Sequence, residues 1–375
     1  MIIYGISTQA VGSLISRIIE HYGIRMAQAG LLSSFTSAGN FAAVFLITLA
    51  VGRVNKMILM GAGLFFYTAS LFLISVTPPF AIILVSFGLI GIFGATIDTL
   101  TNSLVADLAP DNVSRNFSLL HGLFGLGGLL GPVVIESLSG KLRWEQVYIF
   151  ISLVYFVYLV IYAAMLKLQW SVLSARISRD KQAHYGFSDM VKFFTEKRNV
   201  LLWITLFFYG GNQSTLAIWI KRYVETHLNA PVWGAYALSA MWLGTTICRL
   251  FISPNIKATS PKKIFFGNLI SALALAAGLW NGTAIGITAA SLAVGLSSGL
   301  SLPLILAMGC ELNPERTAYG TLMPFTAFFI ASVVFPPLSG FVGDSLGIIW
   351  GVGVGAVSAF MTAVFSGLLD RNLKR

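Results

Sequence analysis

The sequence predicts an all-α membrane protein, with twelve transmembrane helices in two parallel six-helix pseudo-repeats, and three observations predict it. Hydrophobic residues make up 56% of the 375-residue chain and charged residues 10%, where soluble proteins carry about 25% charge. Twelve apolar stretches reach or approach the roughly 20 residues that a helix needs to cross a bilayer. Their continuity, in place of two-residue alternation, selects helices over the strands of a closed barrel. The two sets of six then repeat at an offset near 204 residues.

The first set of spans covers 1–19, 28–51, 57–76, 80–106, 116–138 and 146–168, and the second 199–224, 232–254, 264–281, 284–310, 317–342 and 346–369. They define an N-terminal bundle (1–168), a middle loop (169–198) and a C-terminal bundle with a short tail (199–375). Span 1 reads as a helix and not a secretory signal, because it lacks a basic leading segment and eleven spans follow it. In span 5, Gly122, Gly125, Gly127, Gly128 and Gly131 have no preceding strand, so they serve helix packing and not phosphate binding. In the middle loop, Ser188 is placed to cap a short helix whose Met190, Phe193 and Phe194 face the bilayer while Lys192 and Lys197 face headgroups. Gly210 and Gly211 weaken span 7, Pro303 interrupts span 10, and Pro336 and Pro337 interrupt span 11, all breaks suited to bending.

The chain carries 24 Lys and Arg and a net charge of +10, whose meaning depends on placement. With alternate loops assigned to opposite sides, seventeen basic residues gather on one side, from Arg53 and Lys56 through the middle loop to Lys374 and Arg375. Five fall on the other: Arg25, Lys141, Arg143, Lys221 and Arg222. The positive-inside rule then puts both termini and the middle loop in the cytoplasm of a multi-pass protein of the cell (inner) membrane. No nucleic-acid partner is needed to explain the charge. Cys248 and Cys310 lie in the inner halves of apolar spans, which argues against a structural disulfide. The sequence offers no paired catalytic carboxylates, Cys/His metal cluster or serine with a placed base, so no enzyme and no metal cofactor is expected.

Two anchors carry the duplication. Tyr4, Gly5, Ile15, Arg17 and Glu20 match Tyr209, Gly210, Ile220, Arg222 and Glu225 at an offset of 205, while Pro110 and Pro132 match Pro314 and Pro336 at 204. The Arg17/Glu20 and Arg222/Glu225 pairs, three residues apart near outer helix ends, read as interfacial anchors. Glu136 and Arg249, also near helix ends, are expected to reach headgroups. Span 7 begins about ten residues before Tyr209 but only three precede Tyr4, so span 1 is short by a turn or two and Met1 is expected not to be the native start.

Ionisable residues inside a span are rare and usually face the protein interior, which makes each a candidate site. Asp98 lies about eight residues from the inner end of span 4, roughly 12 Å deep at the helical rise, too deep for a side chain this short to reach water. It is the candidate proton carrier, and Asn102, one turn on, shares its face. His121 in span 5 stands at comparable depth and either exchanges a proton with Asp98 or packs as a satisfied imidazole. Asn212 and Gln213 in span 7, with Thr8 and Gln9 in the equivalent turn of span 1, either bind hydroxyl groups of a polar ligand or join helices. Trp219 and Trp242 are placed to stack on a sugar ring, the alternative being core or interfacial tryptophan. Asp98 has no acidic counterpart in the second half, where Leu302 takes its place.

The layout of six plus six helices, cytoplasmic termini and a basic middle loop resembles the major facilitator superfamily across the whole chain. Leu119–Gly127 through Gly131-Pro132, Asp98–Asn102 followed by 104–110, then Tyr209, Gly210, Trp219 and Tyr223, and Phe335-Pro336-Pro337 are similar to its fucose and glucose/galactose proton symporter branch. The family's loop signature is reduced to Gly52-Arg53-Val54-Asn55-Lys56, without its aspartate, and Gln213 stands where many relatives carry a carboxylate. The resemblance implies a secondary active transporter working by alternating access, with a proton bound at Asp98 driving symport of a small polar solute such as a sugar. It implies no cofactor beyond the proton, a small-molecule substrate and the lipid bilayer as partners, and a monomer. The alternatives are a proton-driven exporter of amphipathic compounds and a transport-dead sensor or scaffold.

Overall fold

The computed structural model describes residues 1–50, 54–108, 113–176, 193–252, 260–313 and 317–374, and these hold helices but no strand. The helices are α1 (Ile2–Tyr22), α2 (Met26–Ala50), α3 (Lys56–Ser75), α4 (Phe80–Leu108), α5 (Val113–Ser139) and α6 (Trp144–Arg176). The second six are α7 (Lys197–Arg222), α8 (Pro231–Ile247), α9 (Pro261–Asn281), α10 (Ala284–Leu312), α11 (Thr317–Leu346) and α12 (Ile348–Leu373). Local chemistry sets the ends. Asn55 caps α3 by accepting from the Met57 amide at 2.8 Å, Thr283 caps α10 by accepting from Gly286, and Ser260-Pro261 opens α9. Gly23 (φ 61°) and Gly282 (φ 64°) close α1 and α9 in the left-handed conformation.

The predicted spans and these helices differ mainly at the middle loop. α6 continues to Arg176 through a kink at Gln169 (φ −121°, ψ 16°). Of the predicted short helix, Ser188, Met190 and Lys192 lie outside the described residues, as do Pro110 and Pro314 of the second repeat anchor. Phe193, expected to face the bilayer, is 1% exposed. Neither Cys248 nor Cys310 is in a disulfide.

Among the described residues, ten helices are long and apolar enough to cross a membrane, and α2 and α7 fall outside that set. In α7 this follows from position. It packs against α1, α8, α11 and α12, so its buried Asn199, Thr205, Asn212, Gln213, Thr215 and Lys221 meet protein and not lipid. Outward positions elsewhere are apolar, such as Phe65 and Phe72 on α3, Leu153 and Phe156 on α6, and Phe266 and Leu273 on α9, as a hydrocarbon solvent requires.

The chain packs as two units. Unit 1 is Met1–Ser7, Phe35–Gly127 and Ser137–Ala183, and unit 2 is Thr8–Ser34, Gly128–Glu136 and His184–Arg375. This division departs from the sequence division at 168 and 199, because parts of α1, α2 and α5 belong with the C-terminal helices. Glycines allow it. A Cβ on Gly12 would sit 2.1 Å from the Ala217 carbonyl oxygen of α7, one on Gly30 2.5 Å from Pro337 of α11, and one on Gly340 2.5 Å from the Met26 carbonyl oxygen of α2. Backbones meet where no side chain intervenes.

The expected breaks turn out in two ways. α10 is interrupted at Gly299–Leu300. Pro303 cannot donate to the Gly299 carbonyl four residues back, and Arg249 Nε donates to that oxygen instead, at 3.3 Å. Arg249 also reaches the Tyr209 hydroxyl, so it turns into the protein and does not reach headgroups as expected. α7, by contrast, runs unbroken through Gly210 and Gly211, which make room for Ala331, Phe328 and Phe335 of α11. α11 is also continuous through Pro324, Pro336 and Pro337. Pro337 leaves the Val333 carbonyl without its helical donor, and Ser34 of α2 supplies one at 2.5 Å.

Candidate functional site

In unit 1, Asp98 stands ten residues before the end of α4 at Leu108, about 15 Å along the helix from it. Its side chain is half-buried, and the charged groups within its electrostatic range are His121 of α5 and the Met1 amino group. Thus the sequence-predicted pair does come together, although His121 itself is exposed. Asp98 makes no hydrogen bond and no ion pair through its carboxyl among the described residues. Asn102 donates from Nδ2 to the Asp98 carbonyl oxygen at 2.9 Å, and its Oδ1 is buried without a partner.

One turn before Asp98, Gly94 leaves space for tyrosines. A Cβ there would lie 3.1 Å from the Tyr4 hydroxyl and 3.1 Å from the Tyr67 ring. Ser7 Oγ donates its single proton to the Tyr4 carbonyl at 2.9 Å. The Tyr67 and Tyr155 hydroxyls, at 3.0 and 3.1 Å from Ser7 Oγ, must then donate to its two lone pairs. This knot ties α1 to α3 and α6, and Tyr4 packs edge-on to Tyr67 and against Phe124. Sequence reasoning missed it. The available signal was Tyr67, alone in its apolar span, and the four tyrosines of span 146–168, since a phenol in lipid needs a partner.

In unit 2, α1 bends at Gln9 (φ −83°, ψ −8°). Gln9 Nε2 donates to Thr8 Oγ1 at 3.2 Å, and Trp242 Nε1 donates to Gln9 Oε1 at 2.8 Å. The Trp242 ring lies on Gly128 of α5, whose Cβ would be 3.2 Å away. Thr8, Gln9 and Trp242 therefore form one assembly, with Thr8 and Trp242 partly exposed. Asn212 is fully buried and donates to the Gly355 carbonyl of α12 at 2.9 Å. Gln213 donates to Asn212 Oδ1 at 3.2 Å and to Ser298 of α10 at 3.4 Å. In this conformation the two amides join helices, the alternative that sequence left open. Trp219 follows the core alternative. Its ring is 0% exposed and its Nε1 donates to the Pro336 carbonyl at 3.0 Å, so it is a core tryptophan with no face for a ligand.

The outer-end charges also depart from expectation. Lys221, assigned to a loop from sequence, is 1% exposed. Its Nζ lies 2.9 Å from Glu136 Oε2 of α5 and 2.7 Å from Glu225 Oε1. Ser16 of α1 donates to Glu225 Oε2 at 2.7 Å, and Arg17 stands 3.9 Å from Glu136. The carboxylates facing Arg222 are Glu225, Glu20 and Asp344. These groups are a cross-helix ionic cluster and not independent interfacial anchors, because α7 extends through Arg222 into a π turn at Tyr223–His227 and carries its charges against α1 and α5.

Among the described residues, no group of three or more His, Cys, Asp or Glu is arranged to hold a metal. The fold is similar to that of a bacterial homologue of the human lysosomal transporter Spinster in an inward-facing, unoccupied conformation (TM-score 0.78, 13% identity, 100% of this chain and 95% of that one). It is similar also to the peptide transporter POT in complex with sulfate (TM-score 0.79, 13% identity, 99% and 93%) and to the Escherichia coli fucose:proton symporter FucP (TM-score 0.63, 17% identity, 98% and 96%). The likeness thus extends beyond the sugar symporter branch. In sequence, 140 residues are 26% identical to the sphingosine-1-phosphate transporter SPNS2 of Mus musculus (36% of this chain, 26% of that one). A 140-residue match is 23% identical to the mouse sodium-dependent glucose transporter 1A (37% and 32%). These matches span about a quarter to a third of the relatives' lengths. The Major Facilitator Superfamily model matches residues 1–323, and the chain belongs to that family.

Proposed function

We propose that the chain is a secondary active transporter that couples a proton bound at Asp98 to symport of a small polar solute such as a sugar, by alternating access. The observation that carries the reading is the state of Asp98, a half-buried carboxyl inside a membrane-spanning helix with no ion pair, beside an imidazole and a buried orphan amide oxygen. In unit 1, His121 exchanges the proton with it and Asn102 offers a polar contact; in unit 2, Thr8, Gln9 and Trp242 offer polar and aromatic contacts to a solute, and Asn212 and Gln213 do so only if helix movement frees their amides. The transporter works as a monomer in the cell membrane with both termini cytoplasmic, and uses no cofactor beyond the proton. Uptake into proteoliposomes under an imposed pH gradient tests it. The gradient response is expected to vanish in Asp98→Asn, and an unchanged response would remove Asp98 from coupling.

A second reading, proton-driven export of amphipathic compounds, is favoured by the sequence match to a transporter named for sphingosine-1-phosphate. Resistance to amphipathic toxins on overexpression, with no sugar uptake, would select it.

A further inference from the structure

Where the start of α7 meets the end of α12, unit 2 has a cavity of about 260 Å³ lined by Lys197, Leu201, Leu368, Arg371 and Asn372. Among the described residues, no carboxylate lines it. The acids nearby are already engaged, Glu196 with Arg198 at 2.6 Å and Asp370 with Lys374. Lys197 and Arg371 have neither an ion pair nor a side-chain hydrogen bond among the described residues. Two solvent-exposed cations and an amide therefore flank one hollow, and an anion entering it meets two cationic donors that have no ion pair among the described residues.

The walls add a second requirement. Leu201 is buried, whereas Leu368 is 42% exposed on the outward surface of α12. The ligand is thus anionic at one end and apolar beside it. Arginine presents a planar fork matched to phosphoryl oxygens and lysine a point charge. Basic pockets between helix ends on the cytoplasmic side are suited to anionic headgroups. We propose that this cavity binds the phosphoryl headgroup of an anionic phospholipid.

The test uses the full chain, delipidated in neutral detergent, with binding of short-chain phosphatidylglycerol, phosphatidylcholine and inorganic phosphate measured by native mass spectrometry and by thermal shift. Phosphatidylglycerol is expected to bind in preference to phosphatidylcholine. Lys197→Gln/Arg371→Gln should weaken that binding roughly 25-fold, at about fivefold per basic contact. Lys167→Gln/Lys262→Gln removes the same charge from residues that do not line the cavity, leaves the Glu196 and Asp370 pairs intact, and should change binding by less than about twofold, as the difference between a site and a screened field demands. Equal loss in both double variants would overturn the proposal, leaving a diffuse basic surface. Stabilisation by inorganic phosphate with no preference among lipids would also overturn it, assigning the cavity to a soluble phosphoryl ligand.

Discussion

Asp98 and Lys221 are both ionisable groups within membrane-spanning helices, and the structure treats them in opposite ways. Lys221 is enclosed by two carboxylates, one of which also accepts from Ser16. Asp98 has an imidazole within electrostatic range but no bonded partner for its carboxyl. Burying a charge is costly unless it is paired and hydrogen-bonded. A paired cluster holds helices together, while an unpaired carboxyl can meet the same cost by taking up a proton. The lesson is that depth in the membrane does not mark a coupling group; an incomplete set of partners does.

The largest expected effect comes from breaking the paired region. Lys221→Met removes the buried cation between half-buried Glu136 and Glu225, leaving them Arg17 at 3.9 Å and Arg222, and unfolding in detergent should show a loss of up to about 3 kcal/mol. A wild-type melting temperature for this variant would mean that the cluster contributes nothing to the fold. Next is the hydroxyl knot, where Ser7→Ala removes the shared acceptor of two buried phenols that also hydrogen-bond each other, and should cost about 1–3 kcal/mol for the one donor left unsatisfied. The combined variant Ser7→Ala/Tyr67→Phe/Tyr155→Phe removes both sides of each bond and should be more stable than Ser7→Ala alone. If it is less stable, the phenols have other partners. The smallest effect on stability belongs to Asp98→Asn, which breaks no hydrogen bond or ion pair and should unfold within about 1 kcal/mol of wild type, even though transport is the property it is expected to change most. A large destabilisation would instead make Asp98 a structural residue and erase the contrast with Lys221.

Most of the fold was legible because a bilayer leaves little choice, and continuous apolar runs of this length can only be helices. Helical rise alone gave the depths of Asp98 and His121, while their approach also required the helices that carry them to be neighbours. What escaped was anything decided between helices. Pro336 and Pro337 looked like a break in α11, but whether a proline opens a helix depends on who takes the orphaned carbonyl, and Ser34 sits about 300 positions away in sequence. Trp219 and Asn212 have the composition of ligand contacts, yet their polar atoms are engaged with Pro336 and Gly355 on other helices. Lys221 read as a loop residue because nothing local revealed that Glu136 would stand opposite it.

One further contact has a kinetic meaning. α2 begins with no acidic residue in its first turn, and its leading amides, Met26 and Ala27, donate instead to the two carboxylate oxygens of Asp344 on α11, at 3.0 and 2.9 Å. The first turn of α2 thus borrows its cap from another helix. Any movement that draws α2 away from α11 must fray that turn as it goes, so these two amides become natural clocks: their exchange with deuterated solvent would count how often that end of the molecule opens.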